Sequence, residues 1–80
     1  MTRNEVLSDL AHLVRDRLDI SRELDETARL VEDLGLDSLR LLTLAVEVEN
    51  HFRICLDEED EIGIVTVGDL VTVVTKKRPS

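Results

Sequence analysis

The sequence predicts an all-α fold, a small bundle of helices, from three observations. Apolar residues recur at helical spacing in three segments: 6–18, 39–52 and 67–74. Capping residues precede these segments, and neither Gly nor Pro interrupts the middle one. Val and Thr dominate residues 65–75 and favour a strand there, but a lone hairpin beside helices would be only marginally stable. We therefore expect one all-α domain over residues 1–80, with 78–80 as a flexible tail.

The first predicted helix begins near residue 3, because Thr2 and Glu5 have the spacing of a capping box. Five apolar residues then follow at i, i+4, i+7, i+8 and i+12, along one face of an amphipathic helix: Val6, Leu10, Leu13, Val14 and Leu18. His12 lies among charged residues on the opposite face and has no metal-spaced partner. It is therefore expected in solvent, and His51 is isolated in the same way.

Residues 19–37 form a long connection, and a structureless loop of this length is unusual in a compact domain. Five apolar residues are scattered along it: Ile20, Leu24, Leu30, Leu34 and Leu36. They predict that the loop is pinned across the helices by its own apolar contacts. Helical content around residues 25–31 is an open alternative.

The junction between this loop and the second helix carries the most specific signal. Asp37 and Ser38 are both suited to cap a helix, and Gly35 permits the bend that precedes them. A phosphate ester on Ser38 would lie at the positive end of the helix dipole, an attraction of roughly 0.3–1 kcal/mol at an exposed site. An isolated Asp-Ser-Leu would indicate no more than a helix cap.

Two apolar stripes follow the second helix from Leu39 to Phe52. The first stripe, which we expect in the core, comprises Leu41, Ala45, Val48 and Phe52, with Leu44 beside them. The second stripe comprises Leu39, Leu42 and Val46 and is flanked by polar residues. A helix that is apolar over so much of its circumference is either deeply buried or offers one stripe to a partner. The residues alone leave both possibilities open.

The acidic run 57–61 predicts a short helical turn. A calcium loop is rejected because its glycine is one place late and its last ligand position is Gly68 instead of Glu. Thr66 and Asp69 then have capping-box spacing for a final helix. The apolar residues of that helix fit a helical period: Val67, Leu70, Val71 and Val74.

Charge is unevenly distributed along the chain. The net charge is −8, and residues 23–69 contain fourteen acidic residues and three basic ones. This acidity argues against nucleic-acid binding and favours docking to basic protein patches. Phe52 is the only aromatic residue, so the core must be aliphatic.

The sequence contains neither the apolar core of a signal peptide nor a segment of membrane-spanning length, so a cytoplasmic location is expected. Cys55 has no partner for an intramolecular disulfide, and an outward-facing or a buried position is equally compatible with the pattern around it.

The run Leu34-Gly35-Leu36-Asp37-Ser38-Leu39 resembles the attachment motif of acyl carrier proteins. The likeness extends over nearly the whole chain and includes the run from Ile64 to Leu70 before the final helix. The resemblance implies a four-helix bundle with a long first loop and a short third helix. It also implies that Ser38 carries 4′-phosphopantetheine, transferred from coenzyme A by a phosphopantetheinyl transferase. The protein would then be a carrier without catalytic residues or a metal, and not an enzyme.

By the same resemblance, the second helix recognises an acyl-loading enzyme, a ketosynthase or other acyl-processing enzymes with basic docking patches, and the carrier is a monomer. The recognition residues implied are Asp37, Leu39, Arg40, Leu42, Thr43, Val46 and Glu49. The chain departs from fatty-acid-synthesis carriers where acids or a proline are common: Arg40, Thr43, Asn50, His51 and Asp57. These departures suggest a dedicated polyketide or other specialised pathway rather than general fatty-acid synthesis.

Other functions remain open to different degrees. An aminoacyl or hydroxyacyl cargo is compatible with the sequence, as is a non-covalent adaptor that docks through the second stripe. A serine hydrolase is disfavoured because Gly-x-Ser-x-Gly is absent and neither histidine has a matching constellation. Five core side chains are expected to part for a linear acyl chain: Leu41, Leu44, Val48, Ile64 and Val71.

Overall fold

A computed structural model describes residues 2–21 and 23–78. Within them the chain forms four helices: α1 (Arg3–Leu18), α2 (Ser38–Phe52), α3 (Glu58–Gly63) and α4 (Val67–Lys77). Helix α1 packs against both α2 and α4. The all-α prediction, the long first loop and the short third helix are confirmed. Of the expected tail, Arg78 caps α4, and residues 79–80 lie outside the described residues.

Reciprocal capping boxes begin both of the helices for which the sequence predicted them. The amide of Glu5 donates to Thr2 Oγ1 at 3.2 Å, and the amide of Asp69 donates to Thr66 Oγ1 at 3.1 Å. Amide donors from Thr66 and Val65 lower the pKa of Asp69, because they stabilise its ionised form. This local stabilisation helps to explain why α4 is helical although Val and Thr favour strands.

The core is aliphatic apart from Phe52. Its buried side chains are Val6, Leu10, Val14, Leu18, Leu24, Leu30, Leu36, Leu44, Val48, Phe52, Ile54, Val67, Leu70, Val71 and Val74. Every residue of the predicted α4 stripe is buried, and so is every residue of the predicted α1 stripe except Leu13, which is half-buried. In α2, Leu41 and Ala45 are half-buried rather than buried, because they line a cavity.

The long loop is pinned, as predicted, by three buried leucines and by backbone bonds to the start of α4. The buried leucines are Leu24, Leu30 and Leu36. Leu30 donates to the carbonyl of Val65 at 3.0 Å, and Gly68 donates to that of Glu26 at 2.8 Å. The described residues 23–37 form turns and one antiparallel bridge, from Arg29 to Thr66, so the possible helix around 25–31 does not form.

Both histidines are exposed, as predicted, and His51 also contacts a residue of another helix. Its Nε2 lies 3.2 Å from Asp9 Oδ2, a contact that joins α2 to α1. His12 Nδ1 lies 2.8 Å from the carbonyl oxygen of Ser8 in its own helix. No described helix is long and apolar enough to cross a membrane.

Candidate functional site

Ser38 is the first residue of α2 and is exposed. Of the two candidate caps, Asp37 is the one used, because its Oδ1 accepts from the amide of Arg40 at 2.8 Å. Gly35 has φ +71°, a left-handed conformation that glycine adopts without steric cost. The sequence thus folds so that the Ser38 hydroxyl stands free at the start of a helix.

The start of α2 also suits a phosphate. Among the described residues, the amides of Ser38 and Leu39 donate to no acceptor, as expected for the first turn of a helix. Such amides, together with the helix dipole, favour an anion at this position. The residues present therefore fit a phosphate ester on Ser38, with the serine oxygen as the point of attachment.

A cavity of about 460 Å³ lies beside Ser38. It is lined by Leu30, Ser38, Leu41, Leu42, Leu44, Ala45, Leu56, Glu61, Ile64 and Leu70. Of the five side chains expected to admit an acyl chain, Leu41, Leu44 and Ile64 line this space. Val48 and Val71 are fully buried and do not. An apolar space next to the attachment residue can hold the apolar part of a tethered chain.

The second apolar stripe of α2 faces solvent, which decides between the two alternatives that the sequence left open. Leu39 is 72% exposed, Leu42 60% and Val46 44%. The guanidinium of Arg40, beside this stripe, has no partner among the described residues. Thr43 Oγ1 donates to the carbonyl of Leu39 at 3.0 Å. The exposed stripe next to Ser38 is a surface that a partner can cover.

Glu49 is the predicted recognition residue whose side chain contacts a segment outside its own helix. Its Oε2 accepts a hydrogen bond from the amide of Leu56 at 2.8 Å, and its side chain is half-buried. The carboxylate therefore holds the segment after α2 against the helix. Its predicted role in partner recognition stays a prediction.

The acidic turn predicted for residues 57–61 forms α3, which has no buried residue of its own. Lys77, at the end of α4, pairs with Asp60, lies 3.7 Å from Asp57 Oδ2 and donates to the carbonyl of Cys55 at 3.1 Å. The hydrogen bond from Lys77 lowers the pKa of Asp60, and the same bond raises the pKa of Lys77. Cys55 itself is exposed, so the outward-facing alternative holds.

Glu61 is a site residue that sequence reasoning missed. The sequence predicts only that Glu61 belongs to the acidic helical turn 57–61. In the structure it also lines the cavity beside Ser38. No local pattern signalled this position, because Ile64 lies just beyond α3 in extended backbone and shares no helical face with Glu61. In the described part of the chain, no group of three or more His, Cys, Asp or Glu side chains is arranged to hold a metal ion.

Comparisons with known proteins agree with this geometry. A family profile described as a phosphopantetheine attachment site matches residues 8–74. An acyl carrier protein from Thermotoga maritima is 35% identical over 77 residues, which cover 95% of each chain. The chain belongs to the acyl carrier protein family. A crystal structure of a T. maritima acyl carrier protein superposes with a TM-score of 0.84 and 26% identity, over 94% of this chain and 88% of that one.

Two mycobacterial carriers are also similar. Acyl carrier protein MbtL of a Mycobacterium species is 34% identical over 76 residues, covering 94% of this chain and 85% of that protein. The meromycolate extension acyl carrier protein of Mycobacterium leprae is 31% identical over 77 residues, covering 95% and 67%. Acyl carrier proteins are carriers, not catalysts, and their cofactor is 4′-phosphopantetheine. They interact with phosphopantetheinyl transferases and with acyl-processing enzymes.

Proposed function

We propose that Ser38 is the residue to which 4′-phosphopantetheine is attached, and that the arm tethers acyl intermediates as thioesters. The observation that carries the proposal is the exposed Ser38 hydroxyl at the start of α2, beside two unpaired amides and an apolar cavity. No other serine in the described residues begins a helix.

The attachment is a phosphoryl transfer in which Ser38 Oγ is the nucleophile. A bond forms between Oγ and the phosphorus that bears the pantetheine arm, and the pyrophosphate bond of coenzyme A breaks. Adenosine 3′,5′-bisphosphate leaves, and the transferase removes the hydroxyl proton. The helix start then stabilises the new phosphodiester through its amides and dipole.

Intact mass spectrometry after incubation with coenzyme A and a transferase tests this assignment. Wild-type protein is expected to gain the mass of one phosphopantetheinyl group, and Ser38→Ala is expected to fold normally and gain nothing. Ser8→Ala removes an exposed serine of α1 and should be modified like wild type. Modification of Ser38→Ala, or no modification of wild type by any of several transferases, would refute the assignment.

We further propose that partners dock on the exposed stripe Leu39, Leu42 and Val46, through surfaces that are apolar at the centre and basic at the rim. Support comes from the exposure of the stripe and from the acidity of residues 23–69. The carrier acts as a monomer over residues 1–80. It works in the cytoplasm, where coenzyme A is available as the donor. The same surface would serve a non-covalent adaptor, from which the mass measurement distinguishes a carrier.

A dedicated pathway, of polyketide or another specialised type, is proposed over general fatty-acid synthesis. Arg40 and Thr43 support this, because they change the charge next to the attachment point where fatty-acid carriers commonly have acids. One relative is named for meromycolate extension, which agrees with a specialised role. An aminoacyl or hydroxyacyl cargo is the second candidate, and Glu61 favours it.

A further inference from the structure

The cavity beside Ser38 contains a single ionisable side chain. Of its ten lining residues, eight are apolar, and the two polar ones are Ser38 and Glu61. Glu61 belongs to α3, and Leu41 and Ala45 of α2 line the same cavity. A chain tethered to Ser38 that enters this space therefore meets apolar walls and one carboxylate.

The carboxylate of Glu61 has no structural task among the described residues. It makes no hydrogen bond or ion pair with them, although its backbone takes part in α3. The two neighbouring acids are engaged, since Asp57 and Asp60 cap α3 reciprocally and Lys77 pairs with Asp60. Glu61 is exposed to solvent and lines the cavity, so it is an unpaired acceptor at the mouth of an apolar space.

We propose that Glu61 determines cargo specificity and selects acyl chains that carry a hydrogen-bond donor, an ammonium or hydroxyl group, over chains that end in a carboxylate. This rests on the proposed attachment at Ser38. Hydrogen bonds to an ionised acceptor are shorter and roughly twice as strong as neutral ones. A second carboxylate near Glu61 would be repelled, and because Glu61 is exposed, this repulsion should be strongest at low ionic strength. A plain alkyl chain gains only apolar burial.

The test uses thioesters of matched length loaded onto Ser38 from the corresponding coenzyme A derivatives. The probes are octanoyl, ω-hydroxyoctanoyl, ω-amino-octanoyl and octanedioyl chains, with a hexanoyl series to vary the depth of the polar end. Loading is followed by intact mass, stability by the melting temperature, and entry into the cavity by the methyl NMR shifts of Leu41 and Ile64. The form that carries the arm without cargo is the reference.

The amino and hydroxy forms are expected to melt above the octanedioyl form and to shift the cavity methyls, in at least one of the two series. A roughly fivefold change in the folding equilibrium moves the melting temperature of a domain this size by about 4–8 °C. Glu61→Gln should remove the difference between the amino and dicarboxylic forms. Glu58→Gln removes the same charge from an exposed position of α3 that does not line the cavity, and should keep that difference.

Three results would overturn the inference: the same cargo ranking in Glu61→Gln as in wild type, an equal loss of ranking in Glu58→Gln, or unshifted methyls for every loaded cargo. Each of these requires protein that the mass measurement shows to be loaded at Ser38. Failure to load any cargo contradicts the proposed attachment instead, so the two failures are distinguishable.

Discussion

Gly68 is the point of closest approach between the long loop and α4, and its replacement by alanine should destabilise the protein. A Cβ at this position would lie 2.9 Å from the carbonyl oxygen of Glu26 and 3.2 Å from Glu26 Cβ. The amide of Gly68 donates to that same oxygen at 2.8 Å. The loop therefore cannot retreat from the new methyl group without lengthening a hydrogen bond.

Two effects of opposite sign decide the magnitude. Alanine is a better helix former than glycine by about 1 kcal/mol in a helix interior, and by less in a first turn such as this one. Overpacking costs about 1–3 kcal/mol, and weakening a backbone hydrogen bond costs about 0.5–1.5 kcal/mol. We expect Gly68→Ala to lower the free energy of unfolding by about 1–2 kcal/mol. In a domain of this size, each kcal/mol lowers the melting temperature by about 4–8 °C.

Urea unfolding followed by circular dichroism measures this change, and Gly63→Ala is the matched control. No atom lies within 4 Å of a Cβ built on Gly63, so that variant should stay within about 0.5 kcal/mol of wild type. The reasoning is refuted if Gly68→Ala is as stable as wild type or more stable. Such a result would mean that the backbone of Glu26 does not hold the loop at this distance.

Two other predictions concern charge. Lys77→Met should lower the urea midpoint at neutral pH, whereas Lys76→Met, a change at an exposed neighbour, should not. Because the pKa of Asp60 is lowered from 3.8, the stabilisation by Lys77 should be complete above that pH and disappear as the pH falls through the lowered pKa. Because the pKa of Lys77 is raised from 10.5, the same stabilisation should be complete below pH 10.5 and disappear as the pH rises through the raised pKa. If the difference in stability between wild type and Lys77→Met does not change with pH, both expectations are contradicted. Arg40→Asp with Thr43→Glu should improve turnover by a fatty-acid ketosynthase and weaken that by the native pathway enzyme. If neither rate moves by more than about threefold (~0.65 kcal/mol), these residues do not set partner choice.

The features that the sequence predicted well are those encoded within one or two helical turns. The capping partners of Thr2 and Thr66 each lie three residues later in the sequence. The starts of α1 and α4 can therefore be predicted from local sequence alone. The same holds for Ser38, whose place at the start of α2 follows from Gly35 and Asp37. The prediction of a helix at 67–77 succeeded against propensity because capping and periodic burial outweighed it.

The features that escaped prediction join residues far apart in sequence. Asp9 and His51 meet across α1 and α2, and no local pattern relates them. Lys77, at the end of α4, pairs with Asp60 of α3, and no local pattern relates these two residues. Glu61 and Ser38 line one cavity although they are far apart in sequence, and Leu41 is half-buried because it lines the same cavity.

Helix α2 presents three distinct faces, and Ser38 is its first residue. One face enters the core, one lines the cavity and one is the exposed stripe. Leu42 belongs to two of them, because it is 60% exposed and also lines the cavity, whereas Leu39 and Val46 do not line it. A partner that covers Leu42 therefore presses on a wall of the space that would hold the cargo. Under the proposed docking on this stripe, Leu42 is the side chain through which a bound partner would alter the shape of the cavity.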